Sequence, residues 1–112
     1  REFTINCSNT QFLRFLKYND PTQVRTVKAS WVRALYNWQP HFAASPASNI
    51  PCLIIQGDED KTIDWLYNTK RLSEKFTEAK ILLIPKAGHH LVKEVQFLRE
   101  KVFKEALEFL RD

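Results

Sequence analysis

Two apolar runs govern what this chain can become. The first, Ile50-Pro51-Cys52-Leu53-Ile54-Ile55-Gln56, leads straight into Gly57-Asp58-Glu59-Asp60, and the second, Ile81-Leu82-Leu83-Ile84, is closed by Pro85 and followed by Gly88-His89. Neither alternates apolar with polar, so each reads as a strand of a parallel sheet covered on both faces. Between them, Asp64 is suited to cap a helix from Trp65 to Phe76, with Trp65, Thr69, Leu72 and Phe76 facing inward. After them, a helix from about Leu91 to Leu110 aligns Val95, Leu98, Val102, Ala106, Phe109 and Leu110 on one stripe, with Glu100 and Lys104 as an ion pair outside. Strand, helix, strand, helix in this order implies the α/β class, with two parallel strands flanked by helices. Two strands cannot bury their own edges, so further strands are expected from upstream polypeptide or from another chain.

The first half reads as helical. Asn9 or Thr10 can cap a short amphipathic helix to Tyr18, and Asn19-Asp20-Pro21 breaks it. A second helix is expected from about Val27 to Phe42, with Trp31, Leu35, Trp38 and Phe42 on one face. Eight of the fourteen aromatics lie in this half, which suits either the core of a helical subdomain or a lid over an apolar pocket. The small, proline-broken stretch Ala43-Ala44-Ser45-Pro46-Ala47-Ser48-Asn49 reads as a linker.

With 44% hydrophobic residues the chain is expected to fold. It opens on Arg1, contains no methionine and has no apolar leader, and so reads as a C-terminal piece of a longer protein. No apolar run nears the roughly 20 residues that span a bilayer. The whole net charge of +4 falls in residues 1–49, which carry six Lys or Arg against two acids. These charges stand singly among large aromatics without a recognition motif, which argues against nucleic acid. A solvated helix face is the plain reading; the partner such a face would otherwise suit is an anionic headgroup or a membrane surface. Cys7 and Cys52 are too few and too far apart for a disulfide framework or a zinc site, and they fit a reducing compartment. Cys52 reads as a small buried hydrophobe.

Asp60 and His89 are the candidate functional residues. Each lies just past the carboxyl end of an expected strand, the rim at which open α/β sheets carry their working groups. Neighbouring strands lie about 4.8 Å apart, so the two side chains can meet across 29 residues of sequence. In acyl transfer, a buried carboxylate fixes the tautomer of a histidine that takes and then returns a proton. Taken singly, Asp60 is a carboxylate in an acidic turn and His89 a surface-loop histidine. The order strand, Gly-x-x-Asp, helix, strand, Gly-His is what singles them out. No Gly-x-Ser-x-Gly elbow occurs, and Ser8, Ser30, Ser45, Ser48 and Ser73 lack the strand-to-helix turn that activates a serine. His89 and His90 do not read as metal ligands, because adjacent loop residues diverge and no further His or Cys stands at ligand spacing. His41, in the last turn of its helix, reads as a side chain favourable to the helix dipole.

This order of motifs resembles the C-terminal third of the α/β-hydrolase fold, and within the serine hydrolases the lysophospholipase (L2 type) and monoacylglycerol lipase branch. Residues 50–64 are similar to that family's Pro-strand-Gly-x-x-Asp-x-x-Val-Asp pattern, which puts the triad acid at Asp60 and leaves Asp58 at the wrong offset. Residues 84–94 resemble its Gly-x-x-His segment with the short link that follows, and put the triad histidine on His89. Less specifically, residues 12–21 and 26–38 are similar to the end of the helical cap in bacterial lysophospholipases. The resemblance implies that residues 1–45 end a cap and residues 46–112 form the C-terminal part of the core. It implies a parent protein that cleaves carboxylic esters of single-chain lipids through an acyl-enzyme, needs no cofactor, and works in the cytoplasm or peripherally at the inner membrane.

The serine, its elbow and the oxyanion loop would then lie upstream, and the 112-residue chain alone is expected to be inert. The alternative is a non-catalytic interaction module that self-associates, as a homodimer, through its sheet edge. Peptidases, other esterases and haloalkane-type hydrolases share the acid and histidine motifs, so the fold does not settle the substrate.

Overall fold

The two apolar runs pair as parallel strands in a computed structural model that describes residues 3–22, 24 and 26–111. Along the chain the elements are α1 (Thr10–Tyr18), α2 (Ala29–Ala44), β1 (Cys52–Gly57), α3 (Trp65–Lys75), β2 (Ala79–Ile84), a 3-10 turn at Leu91–Lys93 and α4 (Gln96–Arg111). The register runs from Cys52 opposite Ala79 to Gly57 opposite Ile84, so both strands end at the same rim. Parallel pairing across a helical crossover gives the α/β class. Among the described residues the sheet has these two strands and both outer edges are unpaired.

Local chemistry starts α1 and α3 at the expected caps, whereas α2, expected from about Val27, begins at Ala29 behind Lys28 without a side-chain cap bond. The Asn9 side chain accepts the Phe12 N–H at 3.0 Å, and the Asp64 side chain accepts the Tyr67 N–H at 3.0 Å. Each bond satisfies one of the donors that a helix start leaves without a partner. On α3, Thr69 is buried and Trp65 and Leu72 are partly buried, as is Phe76 at the C-cap just past the helix, the inward face read from the spacing.

The last helix differs from its expectation. It begins at Gln96, not near Leu91, because Glu94 takes an extended backbone (φ −64°, ψ 169°) that stops the 3-10 turn. Leu98 and Val102 are buried, whereas Leu110 lies exposed at the end of the stripe. The expected Glu100–Lys104 pair does not form: Gln96 Nε2 donates to Glu100 Oε1 at 2.7 Å, and Lys104 reaches Glu108 at 3.8 Å. One helix turn offered each side chain two partners, and both took the other one.

The core sits between one sheet face and α4. Ile84, Ala87, Leu98 and Val102 are buried together, with Ile55, Leu82, Leu91 and Val95 packed against them. Because strand side chains alternate, Ile81 and Leu83 point to the opposite face, where both remain exposed. The strands expected to be covered on both faces are thus well covered on one.

The aromatic helix α2 also departs from the idea of a helical subdomain with its own core. It buries no residue, and Trp31 is 62% exposed. Its far end is the attached part: Phe42 stacks on Trp38 with centroids 4.9 Å apart and lies under Lys75 Nζ at 5.2 Å. Lys75 Nζ also donates to the carbonyls of Ala43 and Ser45. Ser48 N–H donates to Lys75 O at 2.7 Å, and Thr77 N–H donates to Ser48 O at 2.9 Å. The linker is therefore stitched to the end of α3. No described helix is long and apolar enough to cross a membrane.

Candidate functional site

Both strands hand their chains to loops at one rim, and the two loops are laced together. Asp58 N–H donates to Ile84 O at 3.3 Å, Glu59 N–H to Ala87 O at 3.0 Å, and Lys86 N–H to Asp58 Oδ1 at 2.7 Å. Lys86 has φ 64°, the left-handed conformation that turns the second loop back over the first. The two glycines of the sequence stand at the tightest points. A Cβ on Gly57 would lie 2.3 Å from Ala87 O, and one on Gly88 would lie 2.6 Å from Asn6 O. Neither glycine has positive φ, so close approach of backbone, and not conformational freedom, demands glycine at both.

This lacing brings Asp60 and His89 together. His89 Nδ1 lies 2.9 Å from Asp60 Oδ2. The Asp60 side chain is 2% exposed, and it also accepts Thr62 N–H at 2.8 Å and Ile63 N–H at 3.3 Å on Oδ1, and Gln56 Nε2 at 3.1 Å on Oδ2. Burial pushes the Asp60 carboxyl up. The hydrogen bonds from His89, Thr62 and Gln56 and the charge of the imidazole outweigh it, and hold the group below its ordinary value. An ionised carboxylate can only accept, so the proton of the shared bond sits on Nδ1. Nε2 is left as an acceptor, with no hydrogen-bond partner among the described residues, on a side chain 36% exposed. The arrangement is that of a base held in one tautomer on a partly exposed side chain.

Glu94, which the sequence places in the short link after the Gly-His segment, is fully buried. Its Oε1 accepts Gly88 N–H at 2.6 Å, and its Oε2 accepts Ser8 N–H at 2.7 Å and the Ser8 hydroxyl. The sequence does carry a signal: Leu91, Glu94, Val95 and Leu98 fall at helical spacing, which puts an acid at an inward position. Residues 6–8 thereby join the site, and Asn6 O also accepts His90 N–H at 2.9 Å.

His90 meets the His89 ring edge-on, the centroids lying 5.5 Å apart at 63°, and also lies near Phe12, with centroids 6.4 Å apart. Burial lowers its pKa, with repulsion from His89 and Lys93 adding to this and Asp60 opposing it. Cys7 is buried nearby and burial pushes its thiol up, while Cys52 is partly buried; both are free. No group of three or more potential metal ligands assembles among the described residues. Ser45 and Ser73 donate their hydroxyls to helix carbonyls, Phe42 O and Lys70 O, both at 2.8 Å. Ser8 is held by Glu94, and Asp58 holds the Lys86 backbone.

No family model, curated protein or solved structure matches the chain.

Proposed function

We propose that the chain supplies the acid and the base of a Ser-His-Asp ester hydrolase, the serine coming from polypeptide outside these 112 residues. The observation that carries this reading is the 2.9 Å contact of His89 Nδ1 with a buried Asp60, with Nε2 unpartnered among the described residues on a partly exposed side chain. In such a site Nε2 takes the serine proton as the oxygen attacks the ester carbon. It then gives that proton to the departing alcohol, and a water repeats the sequence to release the acid. Asp60 keeps the proton on Nδ1 and stabilises the imidazolium between the two steps. On this reading the βαβα unit is the C-terminal part of an α/β-hydrolase core, residues 46–112, and residues 1–45 end a helical cap. The exposed aromatic face of α2 suits the acyl chain of a single-chain lipid ester, a lysophospholipid or a monoacylglycerol, or contact with a membrane surface.

The test is hydrolysis of p-nitrophenyl acyl esters and of a lysophospholipid by the longer polypeptide that contains this sequence, beside its His89→Ala and Asp60→Asn variants and the 112-residue chain. Activity that drops by about four orders of magnitude in both variants, with a silent 112-residue chain, is the expected result. Full activity in His89→Ala refutes the assignment.

A second reading is favoured by the two unpaired sheet edges and the uncovered apolar residues Ile81 and Leu83. On it the chain is an interaction module that pairs with a second copy of itself. Sedimentation of the 112-residue chain at micromolar concentration separates the two: a dimer broken by Ile81→Lys supports edge and face pairing, and a monomer removes it.

A further inference from the structure

We propose that Glu94 is a positioning residue that holds His89 in register with Asp60. The inference takes its catalytic meaning from the triad reading, but its structural content stands without it.

A carboxylate with no exposed surface is costly to bury unless every oxygen finds donors. Glu94 has them. Oε1 accepts the amide of Gly88, the residue directly before His89, and Oε2 accepts the amide and hydroxyl of Ser8, at the far end of the sequence. None of these donors belongs to a regular element, so without the carboxylate nothing else among the hydrogen bonds described ties the Gly88 amide down. On its other side the same loop is held to the β1 end by the Glu59 N–H bond to Ala87 O at 3.0 Å, and it lies too close to Gly57 for a Cβ there to clear Ala87 O and Gly88 O. One side of the loop is thus closed at Ala87 by a backbone bond and close packing, the other is tied at Gly88 by a charge-assisted bond, and His89 follows directly on the tied residue. Loosening the tether lets the backbone at Gly88 drift away from β1, and the 2.9 Å bond to Asp60 is what that drift breaks. The hydrogen bonds of Glu94 go to Ser8 and Gly88 and to neither His89 nor Asp60, so its hold on the pair runs through the backbone.

The experiment reads the His89 ring directly in the 112-residue chain. Nitrogen NMR of histidine-labelled protein, at a pH where the ring is neutral, gives the tautomer, and far-ultraviolet circular dichroism confirms folding. In the parent chain His89 carries its proton on Nδ1. In Glu94→Ala, and to a smaller extent in Glu94→Gln, which keeps one accepting oxygen, the ratio of Nδ1–H to Nε2–H tautomers falls by about tenfold, with helix content unchanged. Ser8→Ala, which removes one donor and leaves the carboxylate in place, gives a smaller shift in the same direction. Where Glu94→Ala loses its helical signal, the Gln and Ser8 variants decide. A parental tautomer ratio in the folded Glu94 variants, or in both Glu94→Gln and Ser8→Ala, overturns the proposal. An inactive esterase assay combined with the tautomer shift leaves Glu94 a positioning residue and refutes only the triad reading.

Discussion

Replacing Gly57 with alanine tests the geometry of the site at its narrowest point. Under ordinary circumstances Gly→Ala at an unstrained position stabilises a fold by about 0.4–1 kcal/mol, because the unfolded chain loses freedom. Gly57 does not have positive φ, so only space opposes the substitution. That opposition is large: the new Cβ would stand 2.3 Å from Ala87 O, 2.5 Å from Gly88 O and 2.7 Å from Ala87 C, all backbone atoms without a rotamer to yield. Ordinary van der Waals contact needs the loop to retreat by about 1 Å. A retreat of that size takes His89 Nδ1 from 2.9 Å to beyond hydrogen-bond reach of Asp60 Oδ2. Overpacking costs about 1–3 kcal/mol and the lost charge-assisted bond about 1.5–3 kcal/mol, partly overlapping, so a net loss of about 2–4 kcal/mol is expected. Urea unfolding of the 112-residue chain measures it, and for a chain of this size the corresponding fall in melting temperature is on the order of 10 °C. A Gly57→Ala chain as stable as the parent, or more stable, refutes the claim that the two loops are in contact at this glycine.

Other perturbations have equally definite outcomes. Removing the α3 cap by Asp64→Ala should cost about 1 kcal/mol in urea unfolding, since the Tyr67 N–H loses its acceptor. Lys86→Gly should stabilise by up to about 1 kcal/mol, because φ 64° strains a residue with a Cβ, and Lys86→Val should destabilise. Stability should fall in two stages on acidification. His90 titrates below its ordinary 6.5 in the folded chain, so its neutral form is preferred; this contribution is complete above 6.5 and is lost as the pH falls below it. Asp60 titrates below its ordinary 3.8, so its contribution persists to lower pH and is lost as the pH falls from there. Melting curves across this range should show the first stage abolished by His90→Gln and the second by Asp60→Asn.

The parts legible in the sequence share one property: the signal and its consequence lie within a few residues. The apolar runs, the caps at Asn9 and Asp64 and the inward face of α3 are all short-range chemistry. Asp60 and His89 were legible because each stands at a fixed offset from a glycine at the end of a strand, and parallel pairing brings strand ends to one rim. The start of α4, the ion-pair partners along it and the exposure of α2 were not. Each depends on what else competes for the same groups: Glu94 leaves the helix because donors await it elsewhere, and Trp31 is exposed because nothing described packs on it.

By itself, then, the sequence determined the α/β order and the two strand-end residues, Asp60 and His89, that meet at one rim, because periodicity and strand-end offsets are local. Tertiary structure alone decided that a buried glutamate ties Ser8 to Gly88, across 80 residues, and that the chain's two glycines are spacers between backbones. Hydrogen bonds and steric contacts act over about 3 Å in space, whatever the distance along the chain.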